Sequence, residues 1–203
     1  GEANAPEGRD SGPLKPDDRL HPWNVRKPIL AAINGPAVGV GLTIPLQYDI
    51  RVVARDAKLG FVFVNRGIMP ELASTWILPR LIGTARASDL LLSGRIFRGE
   101  EAAALGLCNE AVDAEDVLPR TREMARQIAL HSAPVSVALT KKMIWDNLGQ
   151  PDLERVQARE APLFAWTGSQ PDAREGVLAF LEKRTPEWKM KISKHTPELP
   201  PIE

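Results

Sequence analysis

The sequence predicts an α/β fold in which strands and helices alternate first and a block of helices comes last. Short apolar runs at 29–33 and 49–54 are each bounded by turn residues, as buried strands are. Beyond Pro70 the apolar positions change to helical spacing. From residue 118 onward helical patterns succeed one another, with Pro134, Pro151 and Pro171 marking their starts.

Residues 1–28 are rich in Gly, Pro, Asp and Arg, a composition that buries little apolar surface, and are expected to form a mobile arm. The strand at 29–33 closes on Asn34-Gly35-Pro36. Gly39-Val40-Gly41 then opens a buried helix through 42–46, kept short by Pro45. A second strand spans 49–54, and 57–61 continues extended. Helical spacing covers 74–81. Thr84 is expected to cap a helix that stops at Gly94, and 99–104 forms a short helix ending at Gly106. A strand is expected at 107–112, with Cys108 in it as a buried thiol. Helices follow at about 118–130, 134–147, 152–168 and 171–184. The expected organisation is an arm (1–28), an α/β core (29–132) and a C-terminal helical region (133–203).

Composition narrows the function classes. The 26 basic and 26 acidic residues cancel and form no basic block, which argues against tracking nucleic-acid phosphates. No apolar run approaches the ~20 residues of a membrane span. Cys108 is the one cysteine and has no internal disulfide partner, and the polar N-terminus shows no signal pattern, so a cytoplasmic setting is expected. His21, His131 and His195 share no metal-ligand spacing, so no metal is expected.

Two places could carry chemistry. In Asn34-Gly35-Pro36-Ala37-Val38-Gly39-Val40-Gly41, a strand feeds a helix start through three glycines. Unpaired N–H groups there can hold an anion or oxyanion, and glycines let a ligand come close. Close packing of strand on helix explains the same pattern. A Walker A loop fails, because Leu42-Thr43 follows Gly41, and a dinucleotide fingerprint is weak, because its third glycine would fall at Ile44. The second place is Glu71, just before a helix and beside Met69, Leu72, Ala73 and Trp76. It could be a partner of the helix dipole alone. Held among apolar side chains, it would instead be a stronger base than a carboxylate in water, suited to proton transfer. Ser74 lacks a nucleophile-elbow setting.

The stretch Ala31-Ala32-Ile33-Asn34-Gly35-Pro36-Ala37-Val38-Gly39-Val40-Gly41-Leu42 resembles the central signature of the crotonase (enoyl-CoA hydratase/isomerase) superfamily. Asp49-Ile50-Arg51-Val52-Val53-Ala54, Gly67-Ile68-Met69-Pro70, Leu78-Pro79-Arg80-Leu81-Ile82-Gly83 and Leu91-Leu92-Ser93-Gly94-Arg95 agree in order, as does the C-terminal Arg174-Glu175-Gly176 signature. The resemblance spans 28–188. It implies a ClpP-like ββα spiral followed by a helical trimerisation region, in homo-trimers or hexamers, with an acyl-CoA substrate and no separate cofactor. It also implies an oxyanion hole of two main-chain donors, one of them the N–H of Val40, with Gly39, Val40, Gly41 and Phe63 at the substrate. The other donor belongs to an upstream loop, so the fold's first segment is expected to lie outside these 203 residues.

The two glutamates of family hydratases match Thr43 and Phe63 here, neither of which is a carboxylate. Pro70-Glu71-x-x-Ser74 is similar to the stretch that supplies the single catalytic glutamate of 3,2-enoyl-CoA isomerases. The resemblance therefore favours isomerase chemistry with Glu71 as base. A hydratase and a catalytically silent CoA-thioester-binding scaffold are the alternatives.

Overall fold

The computed structural model describes residues 21–199. The first turn of chain gives β1 (Leu30–Ile33), the two-residue β2 (Ala37–Val38) and the helix α1 (Val40–Leu46). The next repeats that order with β3 (Ile50–Ala54), β4 (Lys58–Gly60), a 3₁₀ turn at Val64–Arg66, α2 (Ser74–Ile82) and α3 (Thr84–Ser93). β5 (Ile96–Arg98), α4 (Gly99–Leu105) and β6 (Glu110–Val112) follow.

The strands sort into two sheets of order β1-β3-β6 and β2-β4-β5. Ile33 pairs with Val53 in the first and Val38 with Gly60 in the second, both in parallel, whereas β5 runs antiparallel to β4. The first two turns thus each give one strand to each sheet before their helix, the ββα order that the resemblance implies, whereas in the last β5 precedes α4 and β6 follows it. Residues 51–54 of the central strand β3 are all buried, as a parallel strand covered on both faces requires. Phe61, Leu59, Leu78 and Leu90 are wholly buried in the same core.

The helical block comprises α5 (Val117–His131), α6 (Pro134–Asn147), α7 (Leu153–Gly168), α8 (Pro171–Leu181) and the short α9 (Ile192–His195). α5 packs on β1 and β3. A separate, smaller apolar cluster of Val135, Leu139, Met143, Leu163 and Met190 joins α6, α7 and the tail. Asp49 ties α6 to the spiral: its carboxylate accepts from Lys141 Nζ (2.7 Å), Trp145 Nε1 (2.9 Å) and the Ile29 amide (2.7 Å). Among the described residues no helix is long and apolar enough to cross a membrane.

Several expectations need correction. Residues 1–20 of the expected arm lie outside the described residues, but 21–28 are held in place. The Lys141 ammonium donates to the carbonyls of Pro22 and Lys27, and Trp23 stacks on His21 and tilts against Trp145. Thr84 does not cap α3: Gly83, at φ +81°, occupies the cap position and Thr84 is the first helical residue. The strand expected at 107–112 begins only at Glu110, because the amides of Leu107 and Cys108 both return to the Ala102 carbonyl at the end of α4. Cys108 therefore lies in a bend, though it is buried, and burial pushes its thiol up to about 11 against the opposing pull of Arg51. β2, β5 and α9 were not expected from the pattern.

Candidate active site

The site is built around the first turn of α1. Gly39 precedes that turn at φ +58°, ψ −123°, a backbone conformation that side chains with a Cβ avoid. Its amide donates to the Gly60 carbonyl (2.9 Å), and its carbonyl accepts from the amides of Leu42 and Thr43. The next two residues, Val40 and Gly41, keep their N–H groups without a hydrogen-bond acceptor among the described residues, as the first residues of a helix must. Both residues are exposed, so these donors face an accessible surface at the positive end of a short helix dipole.

Phe63 is 5% exposed, and its ring tip lies 3.9 Å from where a Gly39 Cβ would stand. It supports the turn with its ring. Thr43, one turn into α1, is completely buried, and its Oγ1 donates to Glu71 Oε1 at 2.5 Å. The same hydroxyl stands 3.4 Å from the Val40 carbonyl. Residues 28 positions apart in sequence are thus in direct contact, and the carboxylate meets α1 at Thr43, three residues after Val40. Glu71 is half-buried, and its other oxygen, Oε2, has no partner among the described residues.

The apolar neighbours expected to enclose Glu71 do not. Met69 is 73% exposed, and Leu72, Ala73 and Trp76 are also on the surface. The cause is the backbone: Leu72 and Ala73 both adopt left-handed conformations, at φ +53° and +57°, and turn the chain into α2. Such conformations cost non-glycine residues about 1–3 kcal/mol each and collect at functional sites. Nothing in the local sequence signals them. Ser74, the first residue of α2, is completely buried, and its Oγ lacks a hydrogen-bond partner among the described residues.

The residues read from the sequence therefore converge. Gly39, Val40, Gly41, Phe63, Thr43 and Glu71 form one neighbourhood of main-chain donors, an aromatic support and one carboxylate. Chemically, it can hold an anionic oxygen at an N–H and move a proton at a carboxylate beside it. Among the described residues no three His, Cys, Asp or Glu side chains gather as a metal site would need. A groove of about 720 Å³, lined by Phe164, Val177, Phe180 and Trp188 among others, shares no residue with this neighbourhood.

Comparison with known proteins agrees with the geometry. A family model described as enoyl-CoA hydratase/isomerase matches residues 17–191. The chain is 45% identical over 164 residues to "Enoyl-CoA hydratase ACTT3" of Alternaria alternata, covering 80% of this chain and 55% of that protein. It is 40% identical over 164 residues to a "Probable enoyl-CoA hydratase" of Bacillus subtilis, covering 80% of this chain and 63% of that one. It therefore spans little more than half to under two thirds of the length of these relatives. The crystal structure of a probable enoyl-CoA hydratase/isomerase from Mycobacterium abscessus superposes with a TM-score of 0.81 at 38% identity, over 83% of this chain and 68% of that one. With its spiral, its glycine turn and these matches, the chain belongs to the enoyl-CoA hydratase/isomerase family of the crotonase superfamily.

Proposed function

We propose that this chain acts on an enoyl-CoA thioester, stabilises its enolate, and moves the double bond with Glu71 as the single base. The observation that carries the reading is the hydrogen bond between Thr43 and Glu71, which brings the carboxylate to the helix whose first N–H groups are free. In a 3-enoyl thioester the base removes a proton from C2. The electrons shift onto the thioester oxygen as a dienolate, and the Val40 N–H is one of the two main-chain donors that stabilise it. A donor aimed at developing charge is worth about 3–4 kcal/mol. The proton returns at C4, leaving the double bond between C2 and C3. One carboxylate takes the proton and gives it back.

Hydration is the second reading, and it is favoured by the names of the relatives, which are called hydratases. Against it stand Thr43 and Phe63 at the positions that the resemblance assigns to the two hydratase glutamates. Assay of the protein on 3-enoyl-CoA and 2-enoyl-CoA thioesters separates the two. Glu71→Gln should lower isomerase turnover by about 10²–10⁴-fold while binding of a CoA thioester is kept. Undiminished turnover in this variant, or hydration of 2-enoyl-CoA without isomerisation, would remove the proposal.

Self-association belongs to the same reading. The helices beyond residue 133 leave Phe164, Val177, Phe180 and Leu181 on the surface, and we propose that copies of this chain cover them in a homo-trimer or hexamer.

A further inference from the structure

We propose that Thr43 is a positioning residue for the proposed base: its hydroxyl holds Oε1 of Glu71, so that Oε2 alone exchanges the proton with substrate. The inference rests on the reading of Glu71 as base, but concerns a different side chain and has its own failure.

Thr43 is completely buried on a helix, where a β-branched side chain has few rotamers open to it. A helical threonine commonly turns its hydroxyl back to a carbonyl of the preceding turn. Here that carbonyl, of Val40, is 3.4 Å away, whereas Glu71 Oε1 is 2.5 Å away. The hydroxyl has one proton, and the carboxylate is both the nearer and the charged acceptor, so the bond goes to Glu71. A carboxyl group turns about its terminal torsion over a broad well, and an unrestrained one would present either oxygen at any angle. Fixing Oε1 from a rigid helix removes that freedom.

The geometry keeps its value through the reaction. When Oε2 takes the proton, Oε1 becomes a carbonyl oxygen and still accepts from Thr43, so the carboxyl does not turn between proton removal and return. Because Thr43 lies on the same helix as Val40, base and oxyanion donor share one frame. Misplacement of a reacting group by about 1 Å can cost on the order of 100-fold in rate.

The test compares Thr43→Val, Thr43→Ser and Glu71→Gln on a 3-enoyl-CoA thioester, with thioester binding and far-ultraviolet circular dichroism measured for each. Thr43→Val should lower kcat by about 10- to 100-fold and leave KM nearly unchanged. Thr43→Ser keeps the hydroxyl and should restore most of kcat. If Thr43→Val does not fold, Thr43→Ala takes its place against Thr43→Ser. A serine variant that loses as much as the alanine or valine variant would assign the effect to packing and overturn the proposal. Wild-type kcat in Thr43→Val, with Glu71→Gln inactive, would overturn it while leaving the base intact. Full activity of Glu71→Gln would remove both.

Discussion

At the scale of single residues, the glycines of the turn look alike in sequence and differ in the structure. Gly39 sits at φ +58°, and a Cβ there would meet Phe63 only at an ordinary 3.9 Å. The penalty of a side chain at this point is therefore conformational rather than steric. Gly41 has no unusual φ, and nothing approaches its missing Cβ within 4 Å. Gly39→Ala should cost about 1–3 kcal/mol of stability and displace the Val40 donor, so turnover should fall as well. Gly41→Ala sits in a helix and should be neutral or stabilising by up to about 1 kcal/mol. Urea unfolding of the two variants beside wild type checks the contrast, and equal losses would mean that the turn is held by something other than the Gly39 backbone. Motif spacing located this turn. It could not separate the glycines, because the difference lies in a dihedral angle and not in a pattern. Leu72 and Ala73 are the stronger case: two left-handed residues beside Glu71 carry neither Gly nor Asn to announce them.

At the scale of elements, α1 is seven residues long, too short to persist without its ends being tied. Its N-terminus is left free for the site, so the tie is at the other end. Arg51 on β3, 5% exposed, donates to the carbonyls of Pro45, Leu46 and Tyr48 around the C-terminus of α1, and through Nε to Leu107 at 2.8 Å. A cation there also complements the helix dipole. Burial pulls the guanidinium below its usual pKa, with Cys108 and Asp49 opposing. Arg51→Met would strip these carbonyls of their donor and should cost at least about 1–3 kcal/mol. Arg51→Lys would recover only part, since an ammonium cannot span the same fork of acceptors. Chemical denaturation of both variants measures this, and a lysine variant as stable as wild type would show that charge alone suffices. In the sequence Arg51 is one residue of a strand, and its role depends on how β3 passes α1. Elements defined by periodicity over ten or more residues, such as α5 and α6, were readable within a residue or two. β2 and β5 were not, because two or three residues hold no period and become strands only by pairing with β4.

At the scale of the whole molecule, the apolar surface is unevenly distributed. The spiral core is the larger cluster, while among the described residues α6, α7 and the tail share a cluster of five buried residues. Asp49, with Lys141 and Trp145, fastens that small cluster to the spiral at one side. On the other side Phe164 is 81% exposed, Phe180 82% and Leu181 68%, all around one groove. Monomeric proteins rarely leave contiguous apolar patches beyond a few hundred Å² in water. Phe164 and Phe180 lie on different helices, α7 and α8, yet line the same groove, so one partner surface could cover both. Each large side chain so buried is worth about 1.5–3 kcal/mol, enough for several of them to hold subunits together at micromolar concentration. Sedimentation velocity at such concentrations should therefore give a trimer or hexamer, and Phe164→Glu with Phe180→Glu should shift it toward monomer while the spiral stays folded. A wild-type protein that sediments as a monomer would show that these rings face something other than a second copy of this chain.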